Sequence, residues 1–99
     1  GVFMYGTIVH VRVKTGCEEE FLKVCGELGI GRVPGQRALF IYQMDSNSRD
    51  FYIVIIFHSH TAYLENFLSP LQFERFARFA DLLDWQPEWH DGQIILNTI

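Results

Sequence analysis

The sequence predicts an α+β fold whose elements follow the order β-α-β-β-α-β. Segments in which apolar and polar residues alternate are typical of strands, and segments with apolar residues every three or four positions are typical of helices. Glycine, proline and short polar tracts separate these segments. The chain has 99 residues, of which 48% are hydrophobic and 15% aromatic. This composition can fill the core of one small domain without disulfide or metal support.

The first strand and the first helix are predicted from the opening third of the chain. Tyr5–Lys14 alternates Thr7, Val9, Val11 and Val13 with Ile8, His10 and Arg12, as in a strand with one apolar face. Thr15 and Glu18 match a capping box. Helical spacing then connects Phe21, Val24, Cys25 and Leu28, before Gly29 and Gly31 end the helix.

A β-hairpin is predicted next, after the turn at Pro34 and Gly35. Its strands are Ala38–Met44 and Phe51–His58, joined by the polar tract Asp45–Asp50. The second of these strands is apolar on both faces, which indicates that both faces are covered in the working protein.

The last part of the chain predicts a broken helix and a final strand. The helix begins near Ser59 or Thr61, and Ser69 with Pro70 caps a continuation. Apolar spacing groups Tyr63, Leu64, Phe67 and Leu68 in the first part, and Phe73, Phe76, Ala77, Ala80 and Leu83 in the second. Glu74 and Arg78 are spaced to pair across one turn. The linker Asp84–Asp91 leads to a strand over Gln93–Asn97.

This element order is the ferredoxin-like arrangement, a four-stranded antiparallel sheet with both helices on one face and strands one and three in the centre. The face without helices would leave about 500–700 Å² of apolar surface in water, at or above the limit for ordinary monomers. We therefore expect a homodimer in which two copies pack through the helix-free sheet face.

Composition excludes several partners. The chain carries twelve acidic and eight basic residues, a net charge of −4. With no cluster of Lys or Arg, nucleic acid is not an expected partner. The apolar run Phe51–Phe57 is far short of the roughly 20 residues that a membrane helix needs. Cys17 and Cys25 are too far apart on one helix for a disulfide, which suits a reducing cytoplasm. Since the chain opens with Gly1, we expect residues 1–3 to be left over from cloning and a single domain to span residues 4–99.

Four features together resemble the antibiotic-biosynthesis monooxygenase-like family. They are the opening YGTIVHVRVKTG followed by acidic residues, Pro34-Gly35 before the second strand, the passage FHSHTAY from the third strand into a helix, and Ser69-Pro70 shortly afterwards. The resemblance runs from Tyr5 to about Asn97. It implies a dimeric α+β barrel formed by two sheets, and a site between the sheet and the helices of each subunit.

The resemblance also implies chemistry. The best-known members oxygenate phenols or quinols with dioxygen and use no metal or flavin, and relatives cleave haem. Tyr63 matches a tyrosine position of the helix, and Asn66 lies one turn further on. Phe57 stands where the oxygenases often carry Trp, and the first strand lacks the Asn of the haem-cleaving members. The resemblance thus favours a cofactor-independent monooxygenase-like protein that acts on a small aromatic substrate, and disfavours haem cleavage.

Within this hypothesis each candidate residue has a role. His60 is the predicted base and Tyr63 the hydrogen-bond donor to the substrate anion. The predicted substrate-binding residues are Phe57, Asn66, Phe67, Phe76 and Trp85. No metal or other cofactor is expected, because His58 and His60 lack an obvious third ligand.

The residues leave alternatives open. Tyr63 and the phenylalanines could simply pack the core, and His58 and His60 could be a strand-end and a helix-capping residue. Trp85, Trp89 and His90 predict either a lid over the site or an anchor at the dimer edge. The whole chain could accordingly be a non-catalytic binding module for a small apolar ligand, or a structural dimer without a cavity.

Overall fold

The computed structural model describes residues 3–27 and 33–98, and the predicted α+β fold is confirmed. The elements, in chain order, are β1 (Tyr5–Arg12), α1 (Glu18–Gly26), β2 (Gln36–Gln43), β3 (Asp50–Phe57), α2 (His60–Phe67), α3 (Pro70–Ala80) and β4 (Glu88–Gln93). The helix-ending role predicted for Gly29 and Gly31, and the place of Leu28, fall outside the described residues. Among the described residues, no helix is long and apolar enough to cross a membrane.

The four strands form one antiparallel sheet in the order β2-β3-β1-β4. As predicted, β1 and β3 lie in the centre, where Val9 pairs with Ile53. β4 pairs with the other side of β1, so that Trp89 lies opposite Val9. The sheet therefore has one face against the helices and one face without them.

The core lies between the sheet and the helices, because alternate residues of β1 and β3 point to the same side. Its buried side chains are Val9, Val11, Val13, Phe21, Val24, Cys25, Phe51, Ile53, Phe79 and Leu83. Phe21 packs against Phe51 and Phe79, with ring centroids 4.8 and 5.7 Å apart. This aromatic cluster fixes α1 and α3 to the sheet.

The opposite face of the sheet is apolar and uncovered, as the two-sided pattern of β3 predicts. Ile8, Phe40 and Tyr42 are 47%, 45% and 53% exposed. Tyr52, Val54 and Ile56 lie between them on β3, each half-buried. We call these six residues the helix-free face.

The start of α1 differs from the prediction. The N-cap position is held by Cys17, with no side-chain cap, and not by Thr15. Gly16, with φ of +84°, turns the chain here, and the Cys17 amide donates to the Lys14 carbonyl at 3.0 Å. Because Thr15 lies within this turn, it is not at the N-cap position, and the helix begins at Glu18.

The helix pair keeps its predicted break, while its buried stripe is rotated. The Ser59 and Ser69 hydroxyls accept from the amides of Ala62 and Gln72, at 3.1 and 3.4 Å, which confirms both caps. In α3, however, Phe73 is 74% exposed and Ala77 is exposed.

The residues of α3 that face the sheet are instead Gln72, Arg75, Phe76 and Phe79. The predicted stripe followed the apolar residues alone: Phe76 and Leu83 lie on the buried side as predicted, whereas Phe73 and Ala77 do not. In α2, likewise, Leu64 and Phe67 are exposed and no residue is fully buried, and Leu68, which follows the helix, is exposed as well. Arg78 pairs with Glu27, the C-cap residue of α1, at 2.6 Å, and not with Glu74.

The final strand begins earlier than predicted. Glu88–Gln93 pairs with β1, whereas Gln93–Asn97 carries the more apolar sequence. Among residues 3–27 and 33–98, the ladder continues beyond Gln93 through the Ile94 amide, which donates to the Met4 carbonyl at 2.9 Å. All six residues of β4 are exposed. An edge strand has one hydrogen-bonded neighbour and tolerates polar residues, so hydropathy was a poor guide to it.

Candidate functional site

A cavity of about 60 Å³ lies between the helix-covered face of the sheet and the helices α2 and α3. Its floor comes from β1, β2 and β3, and its roof from the end of α2 and the first turns of α3. Most of the lining is aliphatic or aromatic, contributed by Val9, Cys25, Val33, Leu39, Ile53, Ile55, Phe57, Phe67, Phe76, Phe79 and Trp89. Such a lining suits the body of a small apolar or aromatic ligand.

A few polar residues interrupt this lining: Thr7, Gln36, Tyr63, Asn66, Gln72 and Arg75. Thr7 is only 3% exposed, yet its Oγ1 atom has no hydrogen-bond partner in the described structure. The Oε1 atom of Gln72 is also buried without a partner. Buried polar atoms are rarely left unpaired in proteins. Two residues of the cavity lining therefore carry a buried polar atom without a hydrogen-bond partner in the described structure.

Tyr63 lies at the edge of the cavity and is held by Asp91 of β4. Its hydroxyl donates to the Oδ2 atom of Asp91 at 3.0 Å. Burial raises the pKa of Tyr63 well above its ordinary value, and the hydrogen bond to the Asp91 carboxylate raises it further. Tyr63 is thus a neutral phenol over the physiological range, with its proton directed at a carboxylate.

His60 does not line the cavity. It is the first residue of α2, and its ring lies against Tyr5 with centroids 4.4 Å apart. Tyr5 in turn contacts Tyr63 at 5.1 Å. His60 belongs to a shallow depression on the surface that Ser59, Thr61 and Gln93 also line. Two aromatic rings therefore connect the predicted base to the cavity.

The predicted substrate-binding residues divide into two groups. Phe57, Asn66, Phe67 and Phe76 all line the cavity. Trp85 does not, because its ring packs on the guanidinium of Arg12 at 4.8 Å, at the end of the central strand β1. Its predicted role in substrate binding has no support in this geometry.

Trp89, for which a lid or a dimer anchor was predicted, reaches the cavity. It projects from β4 and approaches Phe76 of α3, with ring centroids 6.2 Å apart. His90 lies on the other side of the strand, where its Nε2 is 2.8 Å from Glu88 Oε1. Trp89 accordingly closes one side of the cavity, as a lid would.

His58 and His60, two residues apart in the sequence, contact different partners. Arg37 donates to the Nδ1 atom of His58 at 3.3 Å, whereas His60 packs on Tyr5. No group of three or more His, Cys, Asp or Glu side chains that could hold a metal ion occurs in residues 3–27 and 33–98.

Cys25 is the one thiol in the described lining of the cavity. Burial raises its pKa to about 12. The thiol is therefore protonated and serves as a small apolar part of the wall.

Sequence reasoning missed Thr7, Gln72 and Asp91. A signal existed for the first two: Thr7 interrupts a valine series on the apolar face of β1, and Gln72 lies one helical turn before Phe76. For Asp91 there was none, because its partner Tyr63 is 28 residues away in the chain. Only the pairing of β4 with β1 brings the two together.

Comparison with known proteins supports the fold. The chain resembles a variant of SnoaB, a cofactor-independent oxygenase from Streptomyces nogalater, with a TM-score of 0.84, 13% identity and 97% coverage of both chains. It also resembles a proposed antibiotic biosynthesis monooxygenase from Nitrosomonas europaea, with a TM-score of 0.82, 21% identity, and coverage of 99% of this chain and 96% of the other. A conserved protein from Methanosarcina mazei gives a TM-score of 0.79 at 18% identity, with 92% of each chain covered.

No protein-family model and no curated protein matches the sequence. The structural likeness nevertheless confirms the resemblance seen in the sequence. The chain has the ferredoxin-like fold of the antibiotic biosynthesis monooxygenase-like proteins. At these identities the likeness defines the fold, and the chemistry has to be argued from the site.

Proposed function

We propose that this protein is a cofactor-independent monooxygenase-like enzyme that acts on a small phenol or quinol with dioxygen. The observation that carries the proposal is the aromatic-lined cavity in which the buried Thr7 hydroxyl and Gln72 amide oxygen have no partner. A phenol supplies an aromatic ring for the apolar walls and an O–H group for the polar atoms.

The reaction needs no group beyond the substrate and dioxygen. A phenol with a free para position gives a quinone and water: one oxygen atom of O₂ enters the ring, and the other leaves as water with two hydrogens from the substrate. The four electrons that reduce O₂ come from the substrate. Removing the phenol proton makes the ring electron-rich enough to react, and a water-poor cavity protects the intermediate.

Tyr63 and Asp91 offer a route for that proton. Because the Tyr63 hydroxyl donates to Asp91, its oxygen lone pairs remain free to accept from a substrate hydroxyl. The substrate proton can pass to Tyr63 as Tyr63 passes its own to Asp91. In this scheme the pair replaces His60, which lies two rings away.

The free-energy cost of this proton transfer is compatible with a slow turnover. An ordinary phenol is a weaker acid than an ordinary carboxylic acid by about six pKa units, which corresponds to about 8 kcal/mol for the proton transfer. A turnover of about one per second corresponds to a barrier of about 17 kcal/mol. Arg75, which lines the cavity, adds positive charge that favours the phenolate.

Binding an aromatic ring requires the roof of the cavity to open. A cavity of about 150 Å³ is known to hold benzene, and the present cavity of about 60 Å³ is smaller. Phe67 is 59% exposed at the end of α2 and lines the cavity from there. Its outward rotation would enlarge the space.

The helix-free face supports a homodimer as the working unit. Ile8, Phe40 and Tyr42 expose about half of each side chain on this face, around the half-buried Val54. A contiguous apolar surface of this kind favours association, and a second copy presents the same complementary face.

A binding module without catalysis is the second candidate, and one observation favours it. Among the described residues that line the cavity there is no His, Asp or Glu. The carboxylate of Asp91 can therefore act as a base only through Tyr63. If this proton transfer does not occur, the cavity can still bind an aromatic ligand.

Oxygen consumption with a panel of phenols and hydroquinones tests the proposal. Tyr63→Phe and Asp91→Asn should each lower turnover about 10²–10³-fold, and the double variant should lose little more because the two groups act together. His60→Ala should lose less than about tenfold. Asp45→Asn, outside both the cavity and the helix-free face, is the matched control for Asp91→Asn.

The outcomes separate the candidates. A loss in His60→Ala as large as in Tyr63→Phe would restore His60 as the base and reject the Tyr63–Asp91 route. If the wild type consumes no oxygen with any phenol and yet binds aromatics in a thermal-shift assay, the binding module is the correct reading.

A further inference from the structure

Thr7 and Gln72 lie on opposite walls of the cavity. Thr7 is in the sheet, where its backbone pairs with Ile55 on one side and Asp91 on the other. Gln72 is in the first turn of α3, where the Ser69 hydroxyl holds its backbone amide. Both backbones are thus fixed by secondary structure. Both residues line the same cavity, Thr7 from the floor and Gln72 from the roof.

Neither polar atom has a structural use in the described part of the chain. The Thr7 hydroxyl and the Gln72 Oε1 atom form no hydrogen bond there. Leaving such atoms buried and unpaired destabilises a fold, and valine or leucine would fill the same places without that cost. Polar atoms at these positions are therefore best explained by a ligand that pairs with them.

The chemistry of the two atoms restricts the ligand. An amide oxygen only accepts, so the ligand must present a donor, such as a hydroxyl, to Gln72. The Thr7 hydroxyl can donate or accept, so it can pair with a second hydroxyl or with a carbonyl. A planar ring with oxygen atoms at two separate positions can form hydrogen bonds with both Thr7 and Gln72.

We propose that Thr7 and Gln72 determine the specificity of the cavity for rings that carry two oxygen substituents, at least one of them a hydroxyl. This inference rests on the proposed function for the aromatic class of the ligand, and goes beyond it in assigning recognition to two named residues. Both are specificity-determining residues that contact the ligand, while proton transfer belongs to Tyr63 and Asp91.

Three ring probes of nearly equal shape test the inference: hydroquinone, 4-methylphenol and 1,4-dimethylbenzene. In this series each hydroxyl is replaced in turn by a methyl group. Dissociation constants are measured by calorimetry without oxygen, so that binding is separated from turnover. The wild type should prefer hydroquinone to 1,4-dimethylbenzene, with each hydroxyl contributing about 5- to 100-fold.

The variants assign the preference to residues. Thr7→Val and Gln72→Met should each lower the preference for hydroquinone about 5- to 100-fold and leave the affinity for 1,4-dimethylbenzene unchanged or higher. Thr7→Ser keeps the hydroxyl and should keep the preference. The exposed residues Thr15 and Gln86 provide the controls Thr15→Val and Gln86→Met.

Each outcome supports or overturns a stated part of the inference. Equal preference in the wild type and Thr7→Val would overturn the role of Thr7, and the same comparison with Gln72→Met decides Gln72. A wild type that binds none of the three probes would overturn both the inference and the proposed function. If the predicted preference is found but no oxygen is consumed in air, the specificity assignment holds and the monooxygenase proposal fails.

Discussion

A charge at the centre of the helix-free face tests the proposed dimer most directly. Val54 is half-buried on β3, directly between Ile8 of β1 and Phe40 of β2. In a single chain, aspartate at this position can reach water from the uncovered face. In a dimer formed through this face, the same carboxylate is buried without a partner.

The magnitudes differ enough to separate folding from association. For the isolated chain, Val54→Asp costs about 1 kcal/mol, the span of strand preferences. An unpaired buried charge costs about 3–5 kcal/mol, and each dimer carries two. The total of about 6–10 kcal/mol weakens the dimer about 10⁴- to 10⁷-fold. A dimer with a nanomolar dissociation constant should therefore be monomeric at micromolar concentration.

Sedimentation equilibrium and circular dichroism together measure both effects. The wild type should sediment at twice the 11.6 kDa of one chain, and Val54→Asp should sediment at 11.6 kDa with a native spectrum. Ile53→Asp, one residue away and 3% exposed in the core, should unfold the chain. Leu22→Asp, on the exposed side of α1, should leave the dimer intact. A Val54→Asp protein that remains dimeric would refute association through this face.

Two further predictions concern the frame of the site. Gly35 has a φ of +79°, and a Cβ atom there would lie 2.7 Å from the Cβ of Ala62. Gly35→Ala should therefore lower the free energy of unfolding, measured by chemical denaturation, by about 2–4 kcal/mol. Gly26 has open space around it, so the control Gly26→Ala should not lower this free energy. Because the pKa of Tyr63 is raised in the folded state, its contribution to stability is complete below about pH 10 and is lost as the pH rises further. Denaturation from pH 9 to pH 11 should therefore show a smaller loss for Tyr63→Phe than for the wild type, and equal losses would contradict the buried environment of this phenol.

The fold could be predicted because its signals are local. The alternation in β1 and β3 is a property of consecutive residues, and Ser59 and Ser69 cap helices within three positions. Prediction failed where a residue's environment depends on distant parts of the chain. Phe73 was expected on the buried side of α3, but it is exposed. The side of α3 that packs on the sheet is instead the side that carries Gln72 and Arg75.

The aromatic walls of the cavity were predictable from the sequence, together with Tyr63 and Asn66, while its other polar groups were not. Phe57, Asn66, Phe67 and Phe76 line the cavity as predicted, since the fold places the end of β3 beside α2 and α3. His60 was chosen for its chemistry, but as the first residue of α2 it points to the surface and to Tyr5. The roles now proposed for Thr7, Gln72 and Asp91 depend on burial and on strand pairing, which appear only in three dimensions.

The strict alternation of β3 has a consequence for how this sequence can change over time. Phe51, Ile53, Ile55 and Phe57 face the helices, and Tyr52, Val54 and Ile56 face the other way. A substitution alters one side alone, so ligand preference and assembly can diverge independently. An insertion or deletion of one residue exchanges the two sides at once and disturbs both. Among related sequences we therefore expect length differences to collect in the turn at residues 44–49, and to be absent from the strand that follows it.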